Sequence, residues 1–400
     1  MKRMQVVIGN FWLLVVLAVF TISGARAQGE DGFTFYFPTL AGPYAVGHER
    51  YDITDPDRDD RTLGLDVWYP VLPADAEDAE PAAYQITPEV LGLLPLPARF
   101  AKVDVPVAPN KTRHLIVFSH GSGGFSTNSI ALTELLATHG YIVASPDHTG
   151  NTLFGSTDPS EVVAVNRVGD VQFVIDHMMS RSADDEDMLY GKIKPDEVGV
   201  TGHSFGGFSA MGAVTGWEGI PGDPRIRAIA PIAGVVGESA FPPEVLQTVE
   251  IPVLLLGGTD DQTTPIELND YAFDNLAGEW PVHQVDLIGA NHEQFVVICD
   301  LGDVLIDSGV PYNEWEENII GLGLKERYDN SCLYPMLAYD DVERMQNQFI
   351  VSFFRRYLSD GNFWTSRIYG IFLHPDWIWQ YEPDAEAWRK SALDPFGLWY

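Results

Sequence analysis

A serine between two glycines is the first feature of this chain that could do chemistry. In residues 200–207, VTGHSFGG, Ser204 lies two positions from Gly202 and two from Gly206. Serine attacks a substrate only when a base takes its proton, and small flanking residues allow a tight turn that exposes the hydroxyl. In a chain with 37 glycines the pentad alone is weak evidence. Its setting strengthens it, because residues 198–201 predict a buried strand and the residues from Phe205 onward predict a helix.

The base expected to activate Ser204 is His292. Residues 288–295, IGANHEQF, place this histidine in a loop directly after a strand predicted at 283–287. From that position an imidazole could swing over the edge of the sheet and reach the serine. His203 is adjacent to Ser204 but is predicted to point away from it.

An acid is needed to fix the tautomer of the base and to stabilise its charged form. Residues 254–265, LLLGGTDDQTTP, follow a predicted strand and contain two adjacent carboxylates. We predict that Asp261 is the acid, since Asp-x-x-x-Pro is the usual form of this loop, and Asp260 remains the alternative. The order Ser204, Asp261, His292 is the one expected of α/β-hydrolases.

Two backbone amides are candidates for stabilising a developing oxyanion. The glycine-rich stretch FSHGSGG, residues 118–124, follows a strand predicted at 114–119. We expect the N–H of Ser122 and the N–H of Phe205, the residue after the nucleophile, to form the oxyanion hole. Each such donor typically lowers the barrier by about 3–4 kcal/mol.

The elements that must position these residues alternate along the chain between β-rich and amphipathic helical runs. This alternation predicts an α/β fold, with a mostly parallel central sheet and helices on both faces. The predicted strands are 63–69, 114–119, 141–145, 197–201, 226–232, 253–256 and 283–287. The predicted helices are 129–139, 160–180, 204–215, 265–275 and 340–358, and we expect the last strand and the last helix of these lists to be the last of the fold.

The ends of the chain and two internal segments lie outside this alternation. Residues 1–27 have a basic start, an apolar run and the sequence Ala-Arg-Ala, which predicts a signal peptide cleaved before Gln28 and a periplasmic or secreted protein; a retained anchor is the alternative. Residues 28–360 are predicted to form the catalytic domain, with insertions at about 73–111 and 296–340. Residues 361–400 form an extension rich in tryptophan, expected to pack on the domain surface.

Charge and cysteine content narrow the function further. The net charge of −33 disfavours binding to nucleic acid and to anionic membranes. The two cysteines, Cys299 and Cys332, lack the spacing of a zinc site, and in an oxidising compartment they favour a disulfide. We expect neither metal nor cofactor, and the sequence does not address the oligomeric state.

Three blocks of sequence resemble the platelet-activating factor acetylhydrolase family and its bacterial relatives, often labelled predicted dienelactone hydrolases. They are GPYAVGHERYDITDPDRDDRTLGLDVWYP near the start, LIVFSHGSGGFSTNSIALTELLATHGYIVASPDHTGNT, and VGVTGHSFGG. The resemblance covers most of residues 42–358 and assigns the serine to Ser204, the base to His292 and the oxyanion amides to Ser122 and Phe205. Dienelactone hydrolases themselves use a cysteine nucleophile, so the serine indicates an ordinary carboxylic ester.

The resemblance implies a serine esterase that acts on short-acyl phospholipids or other small esters through an acyl-enzyme. A polyester or general carboxylester hydrolase is an alternative in the same class. A peptidase or amidase on the same fold is a second alternative, and a non-catalytic binding protein is a third. The apolar stretch at 90–97 is either a wall of the substrate entrance or a turn that faces the core.

Overall fold

A computed structural model describes residues 26–28, 34–84, 95–109, 111–153, 158–315, 324–359 and 363–390. The predicted signal peptide lies outside these residues except for its last two, and most of the apolar stretch at 90–97 lies outside them as well. Among the described residues, no helix is both long and apolar enough to cross a membrane.

Within the described residues, one mixed sheet of eleven strands forms the centre of the fold, and it confirms the predicted α/β class. Its strands, in chain order, are β3 (Ala45–Asp55), β4 (Arg61–Val71), β5 (Pro81–Tyr84), β6 (Leu96–Lys102), β7 (Arg113–Ser119), β8 (Ile142–Pro146), β9 (Ile193–His203), β10 (Ile226–Ile232), β11 (Val253–Gly258), β12 (Val282–Leu287) and β13 (Ala385–Lys390). A separate small ladder pairs β1 (Arg26–Gln28) with β2 (Thr34–Tyr36).

The strands are ordered β13-β12-β11-β10-β9-β7-β8-β4-β3-β6-β5 across the sheet. Six consecutive strands in this order are parallel to one another: β12, β11, β10, β9, β7 and β8. Antiparallel pairing begins at β4 on one side and at β13 on the other. The carboxyl ends of the parallel strands therefore share one edge, which is where loops of this fold class carry functional residues.

Ten α-helices are described: α1 (Ile130–Thr138), α2 (Ser160–Ala183), α3 (Phe205–Thr215), α4 (Pro243–Leu246), α5 (Glu267–Asn275), α6 (Ile298–Asp307), α7 (Leu324–Tyr328), α8 (Tyr339–Tyr357), α9 (Phe363–Ile371) and α10 (Pro375–Tyr381). They cover both faces of the sheet. Alternate residues of each buried strand point to opposite faces, so Leu254 and Leu256 of β11 belong to the core shared with α1 and α8, whereas Val253 and Leu255 face α2, α3 and α5.

The C-terminal segment corrects one prediction. The strand at 283–287 and the helix at 340–358 are not the last elements, because α9, α10 and β13 follow them. Strand β13 pairs antiparallel with β12 along its whole length and forms the edge of the sheet. Its sequence, AEAWRK, lacks β-branched residues, so β-propensity gave no signal, and the strand owes its place to pairing with β12.

The two insertions carry structure of their own. Strands β5 and β6 lie within the segment at 73–111, and α6 and α7 lie within the segment at 296–340. Cys299 of α6 and Cys332, which lies after α7, form the disulfide that the sequence predicted.

Candidate active site

Ser204 lies at the turn between β9 and α3, at the carboxyl edge of the sheet. Its backbone has φ 56° and ψ −118°, a left-handed conformation that costs a non-glycine residue on the order of 1–3 kcal/mol. The turn is held by a hydrogen bond from the Ser204 N–H to the carbonyl oxygen of Ile232 at the end of β10, 2.8 Å long. The strained turn aims the side chain out of the sheet edge, as the strand–turn–helix prediction required.

The two glycines of the pentad are explained by one neighbouring atom. A Cβ on Gly202 would lie 2.4 Å from the carbonyl oxygen of Ser119, and a Cβ on Gly206 would lie 1.8 Å from the same oxygen. Neither distance is possible, and a backbone oxygen cannot move aside as a flexible side chain can. The spacing of the pentad therefore records the packing of the turn against the end of β7.

His292 and Asp261 form a buried pair near Ser204. The pair is joined by a hydrogen bond of 2.6 Å between His292 Nδ1 and Asp261 Oδ2. Because the carboxylate can only accept, Nδ1 carries the proton and Nε2 is left as the acceptor nitrogen of the neutral ring. Asp260, the alternative acid, instead lines an open cavity on the outer side of His292.

The Asp261 carboxylate receives further donors from its own loop. Its Oδ1 accepts from the N–H groups of Thr263 and Thr264 at 2.8 and 2.7 Å, and its Oδ2 lies 2.8 Å from the Thr264 hydroxyl. Burial opposes ionisation, but these bonds and the His292 contact outweigh it and lower the pKa of the Asp261 carboxyl. Thr264 was not among the predicted site residues, although the polar residues that follow the two aspartates could have indicated it.

Thr264 also contacts the histidine itself. Its Oγ1 lies 3.0 Å from His292 Nδ1 and 2.9 Å from the carbonyl oxygen of Ala233. One hydroxyl thus touches the acid, the base and the loop after β10. These contacts restrict both Asp261 and His292 to one arrangement.

His203 is the second residue that the sequence prediction undervalued. Its ring is buried, lies 4.5 Å from the His292 ring between centroids, and contacts the His292 carbonyl oxygen through Nε2 at 3.0 Å. Burial, and next the neighbouring His292, lower the pKa of His203 well below its usual range, so the neutral ring donates from Nε2. Rather than only pointing away from Ser204, His203 supports the loop that carries His292.

A cavity of about 210 Å³ opens at Ser204 and His292. One wall is the glycine-rich loop of residues 121–124, and the other is largely apolar, with Phe125, Leu153 and Leu301 among its residues. Within the described part of the chain, neither Ser204 Oγ nor His292 Nε2 has a hydrogen-bond partner, so both atoms are available to a ligand. Such bonds often tighten only when substrate binds.

A second, more open cavity of about 650 Å³ lies on the other side of His292. It is polar, and Asp260, Glu293, Glu326 and Arg327 are among the residues that line it. The imidazole therefore stands between a small, partly apolar cavity and a large polar one. The described residues contain no group of three or more His, Cys, Asp or Glu side chains arranged to hold a metal ion.

The two candidate oxyanion donors lie on either side of Ser204 in the fold. Ser122 belongs to the loop that lines the small cavity, and its hydroxyl accepts a hydrogen bond of 3.1 Å from Asn151 Nδ2. Phe205 is the first residue of α3, where the backbone N–H groups have no acceptor within the helix. The structure thus gathers Ser204, Asp261, His292, Ser122 and Phe205 at one sheet edge. Asp260 lines the open cavity beside His292, and the carboxylate that bonds to the imidazole is that of Asp261.

Two models of known protein families match parts of this sequence. The family model described as "Alpha/beta hydrolase family" matches residues 116–317, and the model "Platelet-activating factor acetylhydrolase, isoform II" matches residues 33–161. The second match confirms the resemblance that the sequence motifs indicated. No curated protein matches the chain.

A solved structure, that of a ferulic acid esterase from Streptomyces cinnamoneus, superposes with a TM-score of 0.56. The superposition covers 78% of this chain and 90% of that chain at 23% sequence identity, a level at which the likeness shows the fold. The first family model spans just over half of the 400 residues. The chain therefore belongs to the alpha/beta hydrolase family.

Proposed function

We propose that the protein is a serine hydrolase of small carboxylic esters that works through an acyl-enzyme. The observation that carries the proposal is the Asp261–His292 pair, which leaves Nε2 free at the same cavity as the strained Ser204. A histidine can take the proton of an attacking serine only through a ring nitrogen that carries no proton, and Nε2 of His292 is that nitrogen. Family membership and the esterase fold neighbour agree with this proposal.

The reaction follows from these atoms. His292 Nε2 takes the proton of Ser204 Oγ as Oγ bonds to the ester carbonyl carbon, and the carbonyl oxygen becomes an oxyanion held by the N–H groups of Ser122 and Phe205. Collapse breaks the bond to the alcohol oxygen, which receives the proton from His292. Water then repeats the sequence on the acyl-enzyme and releases the acid, while Asp261 stabilises the imidazolium in both halves.

The size of the cavity beside Ser204 supports a substrate with a small acyl group. At about 210 Å³, the cavity beside Ser204 is below the range of roughly 300–1,000 Å³ that encloses a drug-sized ligand. The match to the platelet-activating factor acetylhydrolase model favours short-acyl esters, including phospholipids, over long-chain or polymeric ones. We further propose that the protein is exported, since the chain begins with a signal-like sequence and contains a disulfide.

The test is covalent labelling combined with substrate profiling. A fluorophosphonate should modify Ser204, as mapped by peptide mass spectrometry, and hydrolysis of p-nitrophenyl esters should decline from acetate toward laurate. Ser204→Ala should lower kcat by at least about 10⁴-fold, because the serine and its base act as a unit. The matched control is Ser160→Ala, which changes an exposed serine at the start of α2 and should leave kcat as it is.

Three outcomes would contradict the proposal. Undiminished p-nitrophenyl acetate hydrolysis by Ser204→Ala excludes this serine as the nucleophile. Faster cleavage of matched anilides than of esters indicates a peptidase or amidase. Failure of folded protein to react with any probe indicates a binding protein on a hydrolase fold.

A further inference from the structure

Arg167 is a completely buried arginine on the face of α2 that packs against the sheet. Burial lowers the pKa of its guanidinium to about 9, so it remains charged at neutral pH. A buried cation is tolerated only where its N–H groups find acceptors in good geometry. The acceptors of Arg167 are two carbonyl groups of the loop of residues 120–124, beside Ser204, and the side chain of Asn151.

The guanidinium bonds directly to two consecutive residues of this loop and contacts a third through Asn151. Nη1 of Arg167 donates to the carbonyl oxygen of His120 at 2.6 Å, and Nη2 donates to that of Gly121 at 2.8 Å. Nε and Nη2 both donate to Asn151 Oδ1, at 2.9 and 2.7 Å. Since Oδ1 of Asn151 is thereby fixed as the acceptor, its Nδ2 must be the atom that donates to Ser122 Oγ, 3.1 Å away.

The Gly121 carbonyl oxygen has further donors on the same buried side. The backbone N–H of His148 donates to His120 Nε2 at 3.1 Å, so the ring proton of His120 is on Nδ1, which donates to the Gly121 oxygen at 2.7 Å. The N–H of Gly124 reaches this oxygen as well, at 3.1 Å. With Arg167 these groups saturate the carbonyl oxygen.

The orientation of this carbonyl determines where the next amide points. The Gly121 C=O and the Ser122 N–H belong to one planar trans peptide and point in opposite directions. With the oxygen turned to the buried Arg167, the N–H is turned toward the cavity that contains Ser204. No acceptor among the described residues takes this N–H. The guanidinium also lies 5.1 Å from the ring centre of Phe205, the other candidate donor residue.

We propose that Arg167 is a positioning residue of the oxyanion hole. It holds the 121–122 peptide in the orientation that offers the Ser122 N–H to the oxyanion, and it prevents a flip that would place the Gly121 oxygen there instead. Arg167 does not contact the substrate, and its effect is exerted through this peptide. The inference rests on the proposed ester hydrolysis at Ser204.

The experiment compares Arg167→Met and Arg167→Lys with the unmodified protein on p-nitrophenyl acetate. Loss of one oxyanion donor costs about 10²–10³-fold in kcat, so Arg167→Met should lose about 100-fold with KM changed less than about threefold. Arg167→Lys keeps the charge and one donor direction and should lose about tenfold. The inhibition constant of a trifluoromethyl ketone, which forms an oxyanion on the serine, should rise in parallel with the loss of kcat. The midpoint of the acidic limb of the pH–rate profile should not move.

The matched control is Arg113→Met. Arg113 is also buried and also donates to a loop carbonyl, that of Gly140, but it lies at the opposite end of β7 from the glycine-rich loop. Its replacement should leave kcat within about twofold. Equal losses of kcat in the Arg113 and Arg167 variants, or an unchanged ketone affinity in Arg167→Met, would overturn the inference.

Two further outcomes separate this inference from the proposed function. If Arg167→Met does not fold, Arg167→Lys carries the test, and a kcat equal to that of the unmodified protein overturns the proposal. If the unmodified protein hydrolyses no ester, the proposed function fails. Full activity in both Arg167 variants of an active enzyme removes only the role of Arg167.

Discussion

Asp261 and Asp286 are both buried aspartates, with 2% and 5% of their surface exposed, and they are associated with two neighbouring strands of one sheet. Asp261 follows β11, whereas Asp286 lies within β12 opposite Gly257 of β11. Their carboxyl groups nevertheless have opposite shifts of pKa. The pKa of Asp261 is lowered, and that of Asp286 is raised to about 7.

The partners of each carboxylate account for the difference. Burial raises the pKa of both, because it removes water from the charged form. For Asp261 an imidazole, a hydroxyl and backbone N–H groups outweigh that effect. Among the described residues, the carboxylate of Asp286 accepts hydrogen bonds only from the amide of Gln284, at 3.1 and 3.2 Å, and the carboxylates of Asp270 and Glu386 raise its pKa further.

The buried carboxylate of Asp261 therefore favours its charged form because of the hydrogen-bond donors around it. Its position in the fold alone does not explain this. Burial is common to both aspartates and so does not explain the difference. Of these two aspartates, it is Asp261, in the loop after β11, that has the donors which favour the charged carboxylate.

The largest expected effect comes from neutralising the paired aspartate. Asp261→Asn should lower kcat by about 10⁴-fold, because an amide at this place holds the imidazole in the wrong tautomer. Steady-state kinetics with p-nitrophenyl acetate measure it. Asp260→Asn is the matched control, and its kcat should change less than about twofold; the reverse pattern would make Asp260 the acid.

A smaller effect is expected from removing one donor of Asp261. Thr264→Val keeps the shape of the side chain but deletes the hydroxyl that contacts both Asp261 and His292. We expect kcat to fall about tenfold, and Thr264→Ser, which keeps the hydroxyl, to stay within about threefold of the unmodified protein. A Thr264→Ser variant as slow as Thr264→Val would show that the methyl group, and not the hydroxyl, matters.

The smallest effect on activity is expected from Asp286→Asn, which should instead increase the stability of the fold. The folded protein binds the Asp286 proton more tightly than the unfolded chain, so stability is fully present below about pH 4 and is lost as pH rises through about 7. Asparagine cannot ionise, so the variant should gain on the order of 1–3 kcal/mol of unfolding free energy at pH 8. Its kcat should be unchanged.

Denaturant unfolding at pH 5 and pH 8 measures this gain. The control is Asp52→Asn, since Asp52 is an exposed aspartate within a strand and its replacement should show no gain that depends on pH. An equal gain for Asp286→Asn at both pH values would indicate a packing effect and contradict the titration.

Much of the fold was predictable because its signals are local. The strand before Ser204 and the helix after it, the loops with Asp261 and His292, and the glycine-rich loop after β7 each combine a buried apolar run with turn residues. Strand β13 was not predictable, because its position depends on pairing with β12 about a hundred residues earlier.

The polar supports of the site were harder to predict for a different reason. Arg167 interrupts the apolar face of α2, which signals a buried charge, but the sequence does not show which carbonyl groups that charge contacts. Thr264 and His203 are ordinary residues whose importance depends on contacts across separate loops. The choice of Asp261 over Asp260 was a preference in the sequence, and the structure adds the 2.6 Å contact with His292 in its favour.

The contact of Gly202 and Gly206 with the Ser119 oxygen has one more consequence. Ser119 ends β7, and the loop that contains Ser122 begins at the next residue. The turn of Ser204 and the glycine-rich loop are thus both built against a single peptide group. Because both are anchored to this peptide group, we expect a displacement of β7 to carry them together and to change the distance between Ser204 Oγ and the Ser122 N–H, the proposed oxyanion donor, very little.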